Sequence, residues 1–146
     1  MSNVTLRHIT PADGEFIYKV KKESFRHYVE KVSGWDEAEQ RQLHERRFAV
    51  QEFRIIQLSD ADVGYVAIMR FPDGIRLNQL FILPQHQCKG AGGACMQWVM
   101  QEAAQGGIPI RLGVFKINGP AQDFYRNLGF RDVGEDEEHV LMEWQP

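Results

Sequence analysis

The chain has 146 residues, 43% hydrophobic and 25% charged, with a formal net charge of −3 at pH 7. It is long enough for one domain with a buried core and too short for two, and the composition excludes wholesale disorder. With no run of Lys and Arg beyond pairs, it argues against nucleic acid as a partner and favours cationic ones.

No apolar stretch approaches the roughly 20 residues of a membrane span, so no membrane partner is expected. Residues 1–10 lack a signal peptide's charged start and apolar middle. Cys88 and Cys95 match neither a zinc spacing nor a disulfide framework. No metal is expected, and a reducing, cytoplasmic location is the default.

Residues 4–9 alternate apolar and polar, as a strand with one buried face does. Thr10-Pro11-Ala12-Asp13 reads as a helix start, with Thr10 to cap, Pro11 in the first position and Asp13 near the positive end of the dipole. The helix runs to Ser33-Gly34, and a more polar one spans 36–49. Residues 53–58, 63–71 and 75–83 read as an antiparallel meander, turning at Ser59-Asp60-Ala61-Asp62 and Pro72-Asp73-Gly74 and ended by Pro84. A glycine-rich turn then opens a helix to about 105, stopped by Gly106-Gly107. A strand at 110–115, a helix at 120–128 closed by Gly129 and a hairpin turning near Asp136 complete the chain. The order β-α-α-β-β-β-α-β-α-β-β makes residues 1–146 a single α/β (α+β) domain.

The segment Leu80-Phe81-Ile82-Leu83-Pro84-Gln85-His86-Gln87-Cys88-Lys89-Gly90-Ala91-Gly92-Gly93 carries chemistry. Gly90, Gly92 and Gly93 let the backbone approach a ligand, and the unpaired N–H groups of a helix start suit a phosphate or pyrophosphate. A Walker phosphate loop fails, because Lys89 precedes the glycines and no Ser or Thr follows. A dinucleotide turn is incomplete, since Gly90-x-Gly92 runs on to Cys95 and residues 110–115 carry no carboxylate. Gln87-x-x-Gly90-x-Gly92 instead resembles the [QR]-x-x-G-x-[GA] pattern of GNAT acetyltransferases. Asn118-Gly119-Pro120-Ala121-Gln122-Asp123-Phe124-Tyr125-Arg126-Asn127-Leu128-Gly129-Phe130 resembles the second motif of that superfamily.

The resemblance implies the GNAT fold, a mixed central sheet of about seven strands with four helices. It also implies acetyl-CoA as co-substrate and transfer of the acetyl group to a primary amine, either a small cationic amine or a peptide amine. It assigns Leu80, Phe81 and Ile82 to the acetyl and pantetheine portion, Cys88, Lys89, Gly90, Ala91, Gly92 and Gly93 to the pyrophosphate after Gln87, and Asn118 to the pantetheine arm. Tyr125 becomes the general acid for the departing thiolate, a role suited to a phenol of reference pKa about 10. Spacing alone leaves Asn118 as a helix cap and Tyr125 as core on the stripe Ala121, Phe124, Tyr125 and Leu128.

The general base is missing from its family places, where this chain has Asn78 and Gly113. Glu23, His27 and Glu30 on the first helix are the alternatives, or solvated helix residues, and water is a third route. Glu23, Tyr28, Trp35 and Asn78 are the candidate acceptor-site residues. Trp35-Asp36-Glu37 and Glu135-Asp136-Glu137-Glu138 either form acidic walls for a cationic amine or are solvated turn charges. A catalytically inactive acyl-CoA-binding module of the same fold is the alternative function, and a homodimer is an allowed assembly.

Overall fold

Seven strands lie in one sheet in the order β1-β2-β3-β4-β5-β7-β6 in a computed structural model that describes residues 3–146. Met1 and Ser2, the first of the residues read for a signal peptide, lie outside the described residues. In chain order the elements are β1 (Val4–His8), α1 (Gly14–Val32), α2 (Glu37–Val50), β2 (Glu52–Leu58), β3 (Ala61–Phe71), β4 (Gly74–Ile82), α3 (Ala91–Gly106), β5 (Ile110–Phe115), α4 (Gly119–Asn127), β6 (Arg131–Glu135) and β7 (His139–Trp144). The element order is the expected one. Among the described residues, no helix is long and apolar enough to cross a membrane.

Helices cover both faces. On one face, Ile17 and Val20 of α1 pack on Phe53, Ile55, Tyr65 and Ala67. On the other, Ala91, Cys95, Met96, Val99 and Ala103 of α3 pack with Tyr125 and Phe130 on the apolar side chains of β3, β4, β5 and β7. Each large aliphatic or aromatic side chain removed from water contributes on the order of 1.5–3 kcal/mol, so the sheet is held from both sides.

Two local expectations change. The helix start at Thr10 is a short 3-10 turn, Pro11–Asp13, ahead of α1. Asp13 there accepts two hydrogen bonds from Arg7 of β1 (2.8 and 2.9 Å), and Arg7 also reaches Asp62 of β3 at 2.9 Å. The turn expected over residues 59–62 contracts to Ser59 and Asp60, whose φ values are 50° and 69°. That left-handed pair matches strand twist in a two-residue hairpin, so Ala61 and Asp62 join β3.

The sheet is irregular along β4. On β3, Ala67 faces Gln79 and Ile68 faces Leu77, which leaves Asn78 of β4 as an extra, unpaired residue. The bulge breaks the alternation of β4. Ile75, Leu77, Leu80 and Ile82 all join the α3 core, while Phe81 packs with the α1 cluster. β4 and β5 pair in parallel only at Ile75 with Ile110 and Arg76 with Arg111. Beyond those rungs the strands part, and the sheet opens.

Candidate active site

Along one side of the opening run the glycine turn and α3. The Gln87 amide donates to the Ile82 carbonyl at 2.9 Å, folding the turn back onto the end of β4. Cys88 (φ 63°) and Gly90 (φ 85°) adopt left-handed backbone, so the chain reverses sharply into α3. Ala94 is the first residue whose N–H bonds back, to the Gly90 carbonyl, leaving the N–H groups of Ala91, Gly92 and Gly93 without helical partners. A side chain added at Gly90 or Gly93 would meet nothing within 4 Å, so this is open space above unpaired donors. Such a cradle fits a pyrophosphate.

The residues of the turn divide by task. Ala91 is buried and offers only its backbone, whereas Cys88 and Lys89 are exposed. Gly92 has ordinary helical backbone, and a Cβ there would lie 3.5 Å from the Phe124 ring. Of the two central glycines, only Gly90 is required by conformation. Leu80, Phe81 and Ile82 are half-buried along the freed edge of β4.

α4 begins where β5 ends. Asn118 caps it, its Oδ1 accepting from the Ala121 N–H at 3.2 Å, and buried Gln122 donates to the carbonyls of Phe115 and Lys116. At the far end Gly129 takes φ 102°, and the Phe130 N–H reaches the Tyr125 carbonyl. The rings of Phe130 and Tyr125 then meet edge to face at 5.5 Å. The Gly129-Phe130 pair is thus a helix stop that clamps Tyr125 from behind. Tyr125 is 8% exposed, and among the described residues its hydroxyl has no hydrogen-bond partner. Burial pushes its pKa well above the usual 10, so the hydroxyl keeps its proton at neutral pH. Neighbouring Cys95 is wholly buried and pushed up to about 12 by the same cause.

Across the opening, on the α1 and α2 face, lies a cavity of about 240 Å³. Arg47 and Gln51 line it from the end of α2, Arg76 and Asn78 from β4, and Asp136 and His139 from the last hairpin, with Gly113 of β5 between. His139 Nδ1 lies 3.0 Å from Asp136 Oδ1. A carboxylate only accepts, so Nδ1 carries the hydrogen, and in the neutral ring Nε2 holds the lone pair. Backbone N–H groups of Glu138 and His139 hold the Asp136 carboxyl below its usual range. Phe25 of α1 bridges the same opening, 4.6 Å from the Phe81 ring and stacked at 5.3 Å on Phe115.

Of the acceptor-site residues expected from sequence, only Asn78 lines this cavity. Glu23 lines a different hollow of about 390 Å³ between α1 and α2 that shares no residue with β4 or β5. Tyr28 packs at a tilt against His27 and Phe25, and Glu30 pairs with Arg26 at 2.6 Å. Trp35 is a plug for the α1–α2 connection, its Nε1 donating to Glu37 at 2.8 Å beside the Tyr18 ring. The acidic walls are engaged locally. Asp36 caps α2, Glu37 accepts from Tyr18, Lys22 and Trp35, and Glu135 pairs with Lys116. Of the proposed acidic walls only Asp136 lines the cavity, and Arg47, Gln51 and His139 were not singled out, because no spacing links the end of α2 to the last hairpin.

The parted β4 and β5, the glycine cradle at α3 and the buried tyrosine on α4 are the architecture of an acyltransferase fold. The chain belongs to the acetyltransferase (GNAT) family, whose model matches residues 15–130. It is similar to an uncharacterized N-acetyltransferase of Mycobacterium tuberculosis, 38% identical over 74 residues, 49% of this chain and 47% of that one. It is also similar to the peptidyl-lysine N-acetyltransferase YiaC of Escherichia coli, 33% identical over 84 residues, 56% of this chain and 53% of that one. The match therefore spans about half the length of these curated relatives. In fold it resembles the PaiA N-acetyltransferase of Thermoplasma acidophilum in complex with coenzyme A, with TM-score 0.81, 18% identity and full coverage of both chains.

Proposed function

We propose that the protein is an acetyl-CoA-dependent N-acetyltransferase that acetylates a primary amine by direct attack in a ternary complex. The observation carrying this reading is the partnerless, protonated Tyr125 hydroxyl on one side of an opened sheet that has a polar cavity on the other. The coenzyme-A-bound relative in fold and the two N-acetyltransferase relatives in sequence support it.

When bound, acetyl-CoA supplies an acyl thioester, which the amine converts to an amide with release of the CoA thiol. The protein's part is to hold, orient and move protons. Unpaired N–H groups of Ala91, Gly92 and Gly93 bind the pyrophosphate, and Gly90 keeps the approach clear. The edge of β4 at Leu80, Phe81 and Ile82, freed from β5, lies along the pantetheine and hydrogen-bonds the thioester oxygen through its backbone. Asn118 keeps its Oδ1 on the helix cap and offers its amide N–H to the arm. His139 takes the amine proton at Nε2, with Asp136 stabilising the resulting imidazolium. Tyr125 delivers its proton to the departing sulfur and is reprotonated from solvent, so one proton is taken up and one given back per turnover.

Tyr125→Phe tests this, because it keeps the ring and removes the proton. Loss of a general acid costs on the order of 10²–10⁴ in rate. The hydroxyl makes no internal hydrogen bond, so stability has nothing to lose. We expect kcat to fall a hundredfold or more with the melting temperature and acetyl-CoA affinity unchanged. A variant keeping over a third of the wild-type kcat, with chemistry rate-limiting, would return Tyr125 to a packing role.

A further inference from the structure

We propose that the acceptor is an amine that also carries an anionic group, an aminocarboxylate in the first instance, and that Arg47 with Arg76 holds the anion in the cavity beneath Asn78. This rests on the acetyltransferase reading and names its substrate class.

Charge balance in the cavity carries the inference. Arg47 is half-buried, lines the cavity, and among the described residues has no side-chain hydrogen bond or ion pair. Burial lowers its pKa, which marks a guanidinium that has lost solvent without gaining an anion. Lys21 of α1, 4% exposed and outside the cavity lining, lies near enough to Arg47 to feel its charge, with the Gln40 side-chain oxygen at 3.0 Å as its partner. Burial and the Arg47 charge push it down to about 8. Arg76, at the other wall, donates to the Asn78 oxygen at 3.2 Å and meets no carboxylate among the described residues. The Nδ2 of Asn78 is buried with no partner, although it belongs to a residue that lines the cavity.

Against these donors the lining supplies one carboxylate, Asp136, which already accepts from two backbone N–H groups and from His139. A half-buried guanidinium such as Arg47 has given up part of its hydration with no counter-charge in return, a cost that an anionic ligand would offset, and exposed Arg76 at the opposite wall adds a second donor. A guanidinium fork matches a carboxylate or phosphate in two-pronged geometry. The cavity's 240 Å³ equals roughly eight water molecules at about 30 Å³ each, room for an amino-acid-sized group. A polycation is the wrong sign. With the anion on Arg47 and Arg76, an amine a few bonds away is directed toward His139 and the gap between β4 and β5.

The test compares matched acceptors in the acetyl-CoA thiol-release reaction. The panel holds free amino acids and their carboxamides, aminoethyl phosphate, spermidine, and a lysine peptide with both termini blocked. Aminocarboxylates should exceed their carboxamides in kcat/KM at least tenfold, and Arg47→Gln should reduce that ratio below threefold with acetyl-CoA affinity unchanged. Arg76→Gln, at an exposed position with no bearing on folding, should narrow the ratio in the same direction. Aminoethyl phosphate turned over in place of the aminocarboxylates would keep the anion site and make phosphate its ligand. Carboxamides equal to acids, preference for spermidine or for the blocked peptide, or a ratio untouched by both variants would overturn the proposal. A separate arm titrates the N-acetyl amino acids and their carboxamides into the protein–CoA complex by calorimetry. Arg47-dependent binding of the acids without turnover of any amine would refute the acetyltransferase reading and sustain the anion site. Equal or absent binding of the acids and amides would refute the anion site independently of catalysis.

Discussion

The two sides of the opening between β4 and β5 are built on different principles. The proposed coenzyme side is mostly main chain: unpaired N–H groups of Ala91, Gly92 and Gly93, a left-handed Gly90, and one hydroxyl on an otherwise apolar face of α4. The proposed acceptor side is mostly side chains: Arg47, Arg76, Asn78, Asp136 and His139, from three separate stretches of sequence. Main-chain recognition requires particular backbone conformations, so it leaves short, fixed spacings in the sequence. Side-chain recognition requires only that distant residues meet in space. A ligand shared across a family suits the first, and a ligand peculiar to one member suits the second.

That contrast can be broken experimentally. The largest effect expected in the acceptor half is from His139→Gln, which should lower kcat at least thirtyfold, toward the 10²–10⁴ range of a lost general base, with coenzyme affinity unchanged. Steady-state and burst kinetics separate the two parameters, and an unaltered kcat would hand the amine proton to water. On the coenzyme side, Gly90→Val puts a β-branched side chain at φ 85° and into the open space above the donors. Calorimetric titration should show coenzyme affinity reduced about tenfold or more, whereas Gly92→Ala, at helical backbone and ordinary contact distance, should change it less. Equal losses at both positions would mean that conformation is not what the turn supplies.

The smallest effect is expected at a site on neither side. Arg7 holds the Asp13 carboxyl at about 2, against an ordinary 3.8. A carboxyl with a depressed folded pKa stabilises the fold above its unfolded value, and that contribution disappears as pH falls from about 4 to 2. Asp13→Asn should therefore cost about 1 kcal/mol at pH 7 after allowance for solvent screening, and almost nothing near pH 2. Denaturant titrations at the two pH values check this. Catalysis should not move, which distinguishes a tie in the scaffold from the two working faces.

The same contrast explains what could be read from the sequence. Alternation, helix caps and glycine stops gave the element order, because each is a local signal. The turn at residues 59–62 was misjudged because Ser59 and Asp60 take left-handed backbone without a glycine to announce it. The bulge at Asn78 was not foreseen either, since it depends on pairing with β3. Gln87 and Asn118 were picked out by the family resemblance; the structure adds a tie to Ile82 for Gln87 and bears out the helix cap that spacing alone gave Asn118. Glu23 was chosen as a carboxylate on the first helix and Trp35 for its place in the loop that follows it, and both side chains answer to α1–α2 contacts instead. His139 and Asp136 lie three residues apart in a hairpin, a spacing that carries no signal until β7 is laid beside β5.

Phe25 sets a dimension that the sheet alone does not. Paired strands stand about 4.8 Å apart, and the Phe25 ring lies against both Phe81 of β4 and Phe115 of β5, where the two strands are no longer paired. The ring works as a spacer gauge carried on α1. On the proposed function, the slot where acyl donor and amine meet is therefore bordered by a helix with no part in the proton transfers. A smaller residue at position 25 would recalibrate the slot without touching either of its working faces.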